Sequence, residues 1–386
     1  MNLQAKPDPS GRGLFLLSLI LLAVLTTVAL LTRTLVPIDE TRYVSAAWEM
    51  WLRGDFLVPF KNGEPYSHKP PFMFWMFHAG WALFGVNDWW PRLVSPLFSA
   101  GSLLLTCLLA RRLWPQHAGL GGRAALILVS ALLWIIFSTS VMFDVMLAFW
   151  VLVGMHGILM AADGERRGFA MLGIAIGLGV LTKGPVILLN LLPVTVLAWW
   201  WQPGLQWKRW LGGVVLAVLL GAAIALAWAL PAGLSGGEAY RNAIFWGQTA
   251  DRMVDSFAHR RPFWWYLPLL PLMLFPWFVW PGFWKALAHH RQVGLDRGTR
   301  FCPHPQHGHP GWHRGAMLHR NHADGSRRAC RLALLPAARC TPDRARPQPG
   351  ARTKLVGPCR HRGTHGRNSG GRGGFGHIRV FVCLPR

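Results

Sequence analysis

Apolar runs of membrane-crossing length recur between residues 14 and 285 and leave the backbone few ways to fold. In hydrocarbon every peptide N–H and C=O must be satisfied within the protein, so such runs become helices. They fall near 14–36, 92–111, 124–139, 143–162, 168–182, 185–201, 211–231 and 263–285. That pattern predicts an all-α integral membrane protein, a multi-pass bundle of about eight spans over residues 1–296. Composition agrees, with 52% hydrophobic and 15% charged residues and 22 Trp. The first run follows Lys6 and Arg12 like a secretory signal. It exceeds the ~7–15-residue core of one, and no small-x-small cleavage site follows, so a retained span is expected.

Charge in the loops sets the orientation. Arg111, Arg112 and Arg123 share one loop, Arg166 and Arg167 another, Lys208 and Arg209 a third. Lys6, Arg12, Lys285 and Arg291 fall on the same side, and a Lys/Arg excess marks the cytoplasmic face. Loops 37–91, 140–143, 183–184 and 232–262 then face outward, which in a bacterial inner membrane is the periplasm. Trp residues at the span ends are expected as interfacial anchors. Pro193, Pro268, Pro271 and Pro276 are expected as helix kinks.

Residues 37–71 are the longest polar interval in the first 260 residues. Within the first outer loop, Val44, Ala47, Trp48 and Trp51 recur at helical spacing and Gly54 supplies a stop. Residues 41–53 therefore read as a short helix lying in the membrane interface. Residues 72–86 read as a second interfacial helix, started by Pro70 and Pro71. A full crossing there would put the Arg-rich loops outside.

This topology brings Asp39, Glu40, Arg42, Lys69, Asp144, Lys183, His259, Arg260 and Arg261 to the outer face from separate loops and span ends. Ionisable groups at membrane depth are costly and face one another or a cavity. Structural readings stand beside functional ones. Asp144 and Lys183 can tie two spans, Arg260 and Arg261 can meet headgroups, and Asp39 and Glu40 can serve a helix N-terminus. Together the set holds what transfer from a lipid phosphate needs: cations for the phosphate and a carboxylate to take a proton or orient the nucleophile. Residues 1–296 contain no Walker A, Gly-rich dinucleotide fingerprint or HExxH. A transporter or flippase for a lipid-linked or anionic solute would use a similar charged cavity.

DETRY at 39–43, GD at 54–55, NGEPYSHKPP at 62–71 and FGVNDWWPR at 84–92 resemble the aminoarabinose transferase and protein mannosyltransferase group of membrane glycosyltransferases. So do the Asp of VMFDVMLAF, LTKGP at 181–185 and HRRPFWWYLP at 259–268, all in the group's order. The resemblance implies a GT-C type fold, a polyprenyl-phosphate-linked sugar as donor, and a lipid A-like lipid, glycan or protein as acceptor at the periplasmic face. It implies Asp39, with Glu40, as the catalytic carboxylates. Arg42, Lys69 and Arg260 are implied as donor-phosphate ligands. Tyr43 and Tyr66 line the pocket in this reading, and Asp144 and Lys183 stand behind it. His68 departs from the group, which often has Glu before Lys-Pro-Pro. With His259 it supplies two ligands for a structural divalent metal, too few to establish one. No cofactor beyond the lipid-linked donor is expected.

Residues 297–386 have a different composition. They carry 18 Lys+Arg against 2 Asp+Glu, whereas residues 1–296 carry 22 against 14, so most of the +24 net charge sits in the tail. Nucleic acid is not the expected partner, because Lys354 is the tail's one lysine and stacking aromatics are sparse. Arg, His, Gly, Pro and Cys without apolar periodicity are what a GC-rich gene yields out of frame. The expectation is a disordered or aberrant tail, with a shift of register between residues 290 and 305. The resembling group continues there with further spans and a periplasmic domain.

Overall fold

The apolar runs fold as helices. The computed structural model describes residues 9–247, 267–290 and 301. Four helices are long and apolar enough to cross a membrane: α1 (Pro9–Thr32), α4 (Trp89–Leu113), α7 (Phe143–Ala162) and α11 (Trp207–Ser235). The expected third span is a bent pair, α5 (Leu120–Val129) and α6 (Leu132–Ser138), meeting at 71°. The bend coincides with a change of hydrogen-bond partner. Ala131 is extended, and the Leu132 N–H donates to the Phe275 carbonyl (3.0 Å) instead of to the preceding turn. Shorter helices follow: α8 (Arg167–Lys183), α9 (Val186–Val196) and α10 (Ala198–Trp201). Gly184, at φ +78°, reverses the chain between α8 and α9.

Small residues bring three of these helices together. A Cβ on Gly157 of α7 would lie 2.8 Å from the Gly168 carbonyl oxygen of α8. A Cβ on Gly173 of α8 would lie 2.8 Å from the Ala217 carbonyl oxygen of α11. Close backbone approach of this kind is how helices pack without a hydrophobic driving force between them. Leu152, Met155, Leu159, Leu172, Ile176 and Leu191 fill the resulting core.

The eighth expected span is not one helix over its described residues. It is α13 (Leu270–Met273), a 3-10 turn at Trp277–Val279 and α14 (Pro281–His290). Pro271, Pro276 and Pro281 each remove a backbone donor, which breaks the hydrogen-bond ladder.

Between the first two long helices lie α2 (Asp39–Arg53), a hairpin of β1 (Phe60–Lys61) and β2 (Glu64–Pro65), and α3 (Phe72–Phe84). Gly54 ends α2 in the left-handed region, as its position suggested. The Asn62-Gly63 turn has φ of 55° and 84°, the two-residue geometry that this dipeptide favours. The 13 residues of α3 span about 20 Å at ~1.5 Å each, short of a bilayer core. The buried face of α2 is Glu40, Tyr43, Ala46, Ala47 and Met50, rotated from the expected stripe. Phe74, Phe77 and Phe143 fill the space against that face, while Trp48 and Trp51 sit at its edge with their rings against Trp81.

The loop after α2 also packs on the far end of α11. The Trp228 indole donates to the Leu57 carbonyl (2.8 Å), and Val58 is buried with Ala232 and with Tyr240 of α12 (Gly237–Asn242). A π-helical turn, Ala243–Gly247, follows. Cationic loops gather at the opposite end, where Arg112 pairs with Asp163 (2.8 Å) and Glu165 (3.4 Å). Of residues 297–386 only Phe301 is described, with its ring 4.8 Å from that of Trp201. The expectations for the rest of that tail lie outside the described residues.

Candidate functional site

The acidic pair that opens α2 divides into two environments. Successive helical positions point about 100° apart, so one side chain turns outward and the other inward. Asp39 remains 44% exposed and accepts hydrogen bonds from the Arg42 guanidinium and the Tyr43 hydroxyl (3.2 Å). Burial, followed by the Asp39 and Tyr66 charges, pushes the Tyr43 phenol well above its usual range. Tyr43 therefore keeps its proton and Asp39 remains the acceptor. The Tyr43 ring meets Phe143 edge-on at 4.9 Å. The Lys69 ammonium lies 5.4 Å from the Phe143 centroid and 6.0 Å from that of Tyr43, within cation–π range. Two aromatic rings thus place Lys69 in the same cluster as Asp39 and Arg42.

Glu40 is 1% exposed, and three donors converge on its carboxylate. One oxygen accepts from Arg33 (2.9 Å) and from the Val36 N–H (2.6 Å), and the other from the Val141 N–H (2.8 Å). Arg33 also donates to the Thr139 carbonyl. Arg92, itself buried, donates to the carbonyls of Ala29 (2.6 Å), Arg33 (2.8 Å) and Leu30 (3.3 Å). It thereby caps the open carbonyl end of α1. Glu40 ties the end of α1, the start of α2 and the approach to α7. The sequence reading did not single out Arg33 or Arg92. The available signal was an arginine at the edge of an apolar run, which must find an internal partner.

Asp144 and Lys183 meet. The ammonium lies 2.6 Å from the carboxylate, joining the first turn of α7 to the last turn of α8. An acid at a helix N-terminus and a base at a C-terminus also suit the two helix dipoles. Lys183 stands at one side of an open cleft with a volume of about 210 Å³. Its polar rim is Ser67, His68 and Lys183, and its walls include Val180, Leu226, Trp228 and Phe245. The α11 wall was not foreseen, because its residues are indistinguishable in sequence from those that face lipid.

Tyr66 is buried in the same core as Tyr43 and Phe143, and His68 stacks on its ring at 5.4 Å and 29°. The structure thus gathers Asp39, Glu40, Arg42, Tyr43, Tyr66, His68, Lys69, Asp144 and Lys183 at one end of the bundle. Arg260 and His259 lie outside the described residues, and with them the paired-histidine metal site. Among the described residues no group of three or more His, Cys, Asp or Glu could hold a metal ion. A second cavity lies at the opposite end, lined by Asp163, Gln202, Gln206, Arg209 and Trp210.

Residues 13–286 match the family described as dolichyl-phosphate-mannose-protein mannosyltransferase. The undecaprenyl phosphate-alpha-4-amino-4-deoxy-L-arabinose arabinosyl transferase of Pseudomonas paraeruginosa is 37% identical over 255 residues, covering 62% of this chain and 44% of the relative. The enzyme of that name, number 1, from Sodalis glossinidius is 34% identical over 302 residues, covering 76% and 53%. The chain spans about half the length of the curated relatives it matches. Among solved structures, ArnT from Cupriavidus metallidurans bound to undecaprenyl phosphate superposes with a TM-score of 0.59 at 23% identity, covering 78% of this chain and 57% of that one. Its apo state gives 0.60 at 24%, covering 80% and 60%. The shared fold is the GT-C type helical bundle.

Proposed function

The chain belongs to the dolichyl-phosphate-mannose-protein mannosyltransferase family, and on that footing we propose that it transfers a sugar from a polyprenyl-phosphate donor to an acceptor at the periplasmic face of a bacterial inner membrane. The observation that carries this reading is that the Asp39–Arg42 pair, Lys69 over the Phe143 ring and the Asp144–Lys183 pair share one end of the bundle, where Lys183 borders an apolar-walled cleft. The prenyl chain occupies that cleft, with its phosphate toward the polar rim. A single anionic head on a long apolar tail suits a cleft divided in this way.

In the transfer, the acceptor oxygen attacks the anomeric carbon and a new C–O bond forms. The bond from that carbon to the phosphate oxygen breaks, and the electron pair leaves with the polyprenyl phosphate. Asp39 accepts the proton lost by the acceptor hydroxyl. Arg42, Lys69 and Arg260 hold the phosphate and offset the charge that grows on it. Tyr43 fixes Asp39, and Glu40, enclosed by its three donors, sets the backbone from which Asp39 projects. The names of the relatives support 4-amino-4-deoxy-L-arabinose as the sugar and undecaprenyl as the lipid. A lipid A-like lipid, a glycan or a protein would serve as acceptor.

Membranes containing the chain, incubated with radiolabelled undecaprenyl-phosphate sugar, test the proposal. Label should appear on an acceptor through a new glycosidic bond and should vanish with Asp39→Asn. Movement of labelled lipid between leaflets with no new bond would instead identify a flippase.

A further inference from the structure

Residues 57–59 are tied to both sides of the outer cleft. On one side the Leu57 carbonyl accepts the Trp228 indole N–H (2.8 Å). Val58, fully buried, packs there with Ala232 and Tyr240, flanked by Trp228 and Ile244, and the last two are cleft walls. On the other side the Pro59 carbonyl accepts the Tyr66 N–H (2.7 Å), and the chain runs on from Tyr66 into Ser67 and His68 of the cleft rim. The segment is itself held. The Asp55 carboxylate accepts the N–H groups of Leu57 (2.9 Å) and Val58 (3.1 Å). The Phe56 carbonyl accepts the Trp75 indole N–H of α3 (2.7 Å), so indoles from two helices grip consecutive carbonyls. A fixed separation matters for a lipid site. Prenyl and saturated chains are both apolar, so burial against Leu226, Trp228 and Phe245 does little to tell them apart. Discrimination must come from shape, and only walls that do not yield can read shape.

We propose that Leu57, Val58 and Pro59 form a yoke that holds the outer cleft at one width, so that it accepts methyl-branched prenyl chains over straight saturated ones. Val58 is a positioning residue, acting through the wall it packs against, and Trp228 both lines that wall and ties it to the yoke. The proposal rests on the donor reading given above and adds the residues that set its chain selectivity.

Competition binding on the full chain in phosphatidylcholine nanodiscs tests this. Farnesyl phosphate and n-dodecyl phosphate share a head and a main-chain length and differ in methyl branches and double bonds. Each is used to displace radiolabelled undecaprenyl phosphate. The unaltered chain should favour farnesyl over dodecyl phosphate by at least about tenfold, the low end of shape discrimination in an apolar pocket. Val58→Ala, which loosens the yoke, and Trp228→Phe, which keeps a ring in the wall but loses the bond to Leu57, should each lower that ratio by about fivefold, the equivalent of one hydrogen bond. Trp75→Phe removes a comparable bond on the α3 side and should leave the ratio unchanged. Should either yoke variant fail to fold, the other decides. If the unaltered chain binds undecaprenyl phosphate but does not distinguish the two competitors, this proposal falls and the donor reading stands. A ratio that holds in both yoke variants, or that falls equally in Trp75→Phe, overturns the yoke. If undecaprenyl phosphate itself does not bind, the donor reading falls as well.

Discussion

The two ends of the bundle use the same residue types differently. At the end holding Asp39, charged groups join segments far apart in the chain, and two of them, Glu40 and Arg92, are buried. At the opposite end Arg112 meets Asp163 and Glu165 with all three side chains at least 30% exposed. The cavities differ in the same sense. The outer cleft has apolar walls and a polar rim, whereas polar and charged groups are prominent in the inner one. Loop arginines at the inner end are accounted for by membrane orientation. The outer end has hydrogen-bond geometry that orientation does not require.

The largest expected difference between the ends is in catalysis. Asp39→Asn should lower transfer by about 10²–10⁴-fold, the range for removing a general base. Arg112→Gln should leave the rate within about twofold, since that residue only joins exposed loop ends. Equal losses would break the contrast.

Stability comes next. Glu40→Gln removes the charge that compensates Arg33 and should destabilise the fold by about 3–5 kcal/mol, read as a lower unfolding midpoint in detergent. Arg112→Gln should cost under about 1 kcal/mol by the same measurement. Lys183→Ala falls between the two ends. Its pair with Asp144 is partly exposed, so stability should change by no more than about 1 kcal/mol. Binding of undecaprenyl phosphate should stay within about threefold, because Lys183 supports the site and Arg42, Lys69 and Arg260 hold the phosphate.

How much of this was legible in the sequence depended on the kind of force involved. Apolar length and loop charge were enough to locate the long helices, the two short outer helices and the common end of Asp39, Lys69, Asp144 and Lys183. The rotated face of α2 was not legible. Val44, Trp48 and Trp51 look like core, but Glu40 and Tyr43 take the inner positions because Arg33, Val141 and Phe143 satisfy them there. Those partners come from other segments, and no local pattern reveals them. The Asn62-Gly63 dipeptide is itself a hairpin signal, so this turn is legible from local sequence alone. The break in α5–α6 depends on Phe275, more than a hundred residues away.

The smallest predicted effect concerns pH. His78 on α3 accepts burial among aromatic rings, and that burial lowers its pKa below 6.5 despite a 2.9 Å contact with the Ala47 carbonyl. The unfolded chain then binds more protons as pH falls through 6.5, so stability should decline in that window. His78→Gln should flatten the decline, as read by unfolding midpoints across pH.

Photolabelling tests the central claim most directly. A photoactivatable undecaprenyl phosphate, cross-linked to the full chain and mapped by peptide sequencing, should mark residues 180–185, 225–229 and 244–245 around the outer cleft. Labels concentrated at residues 161–169 and 202–210, around the inner cavity, would contradict it.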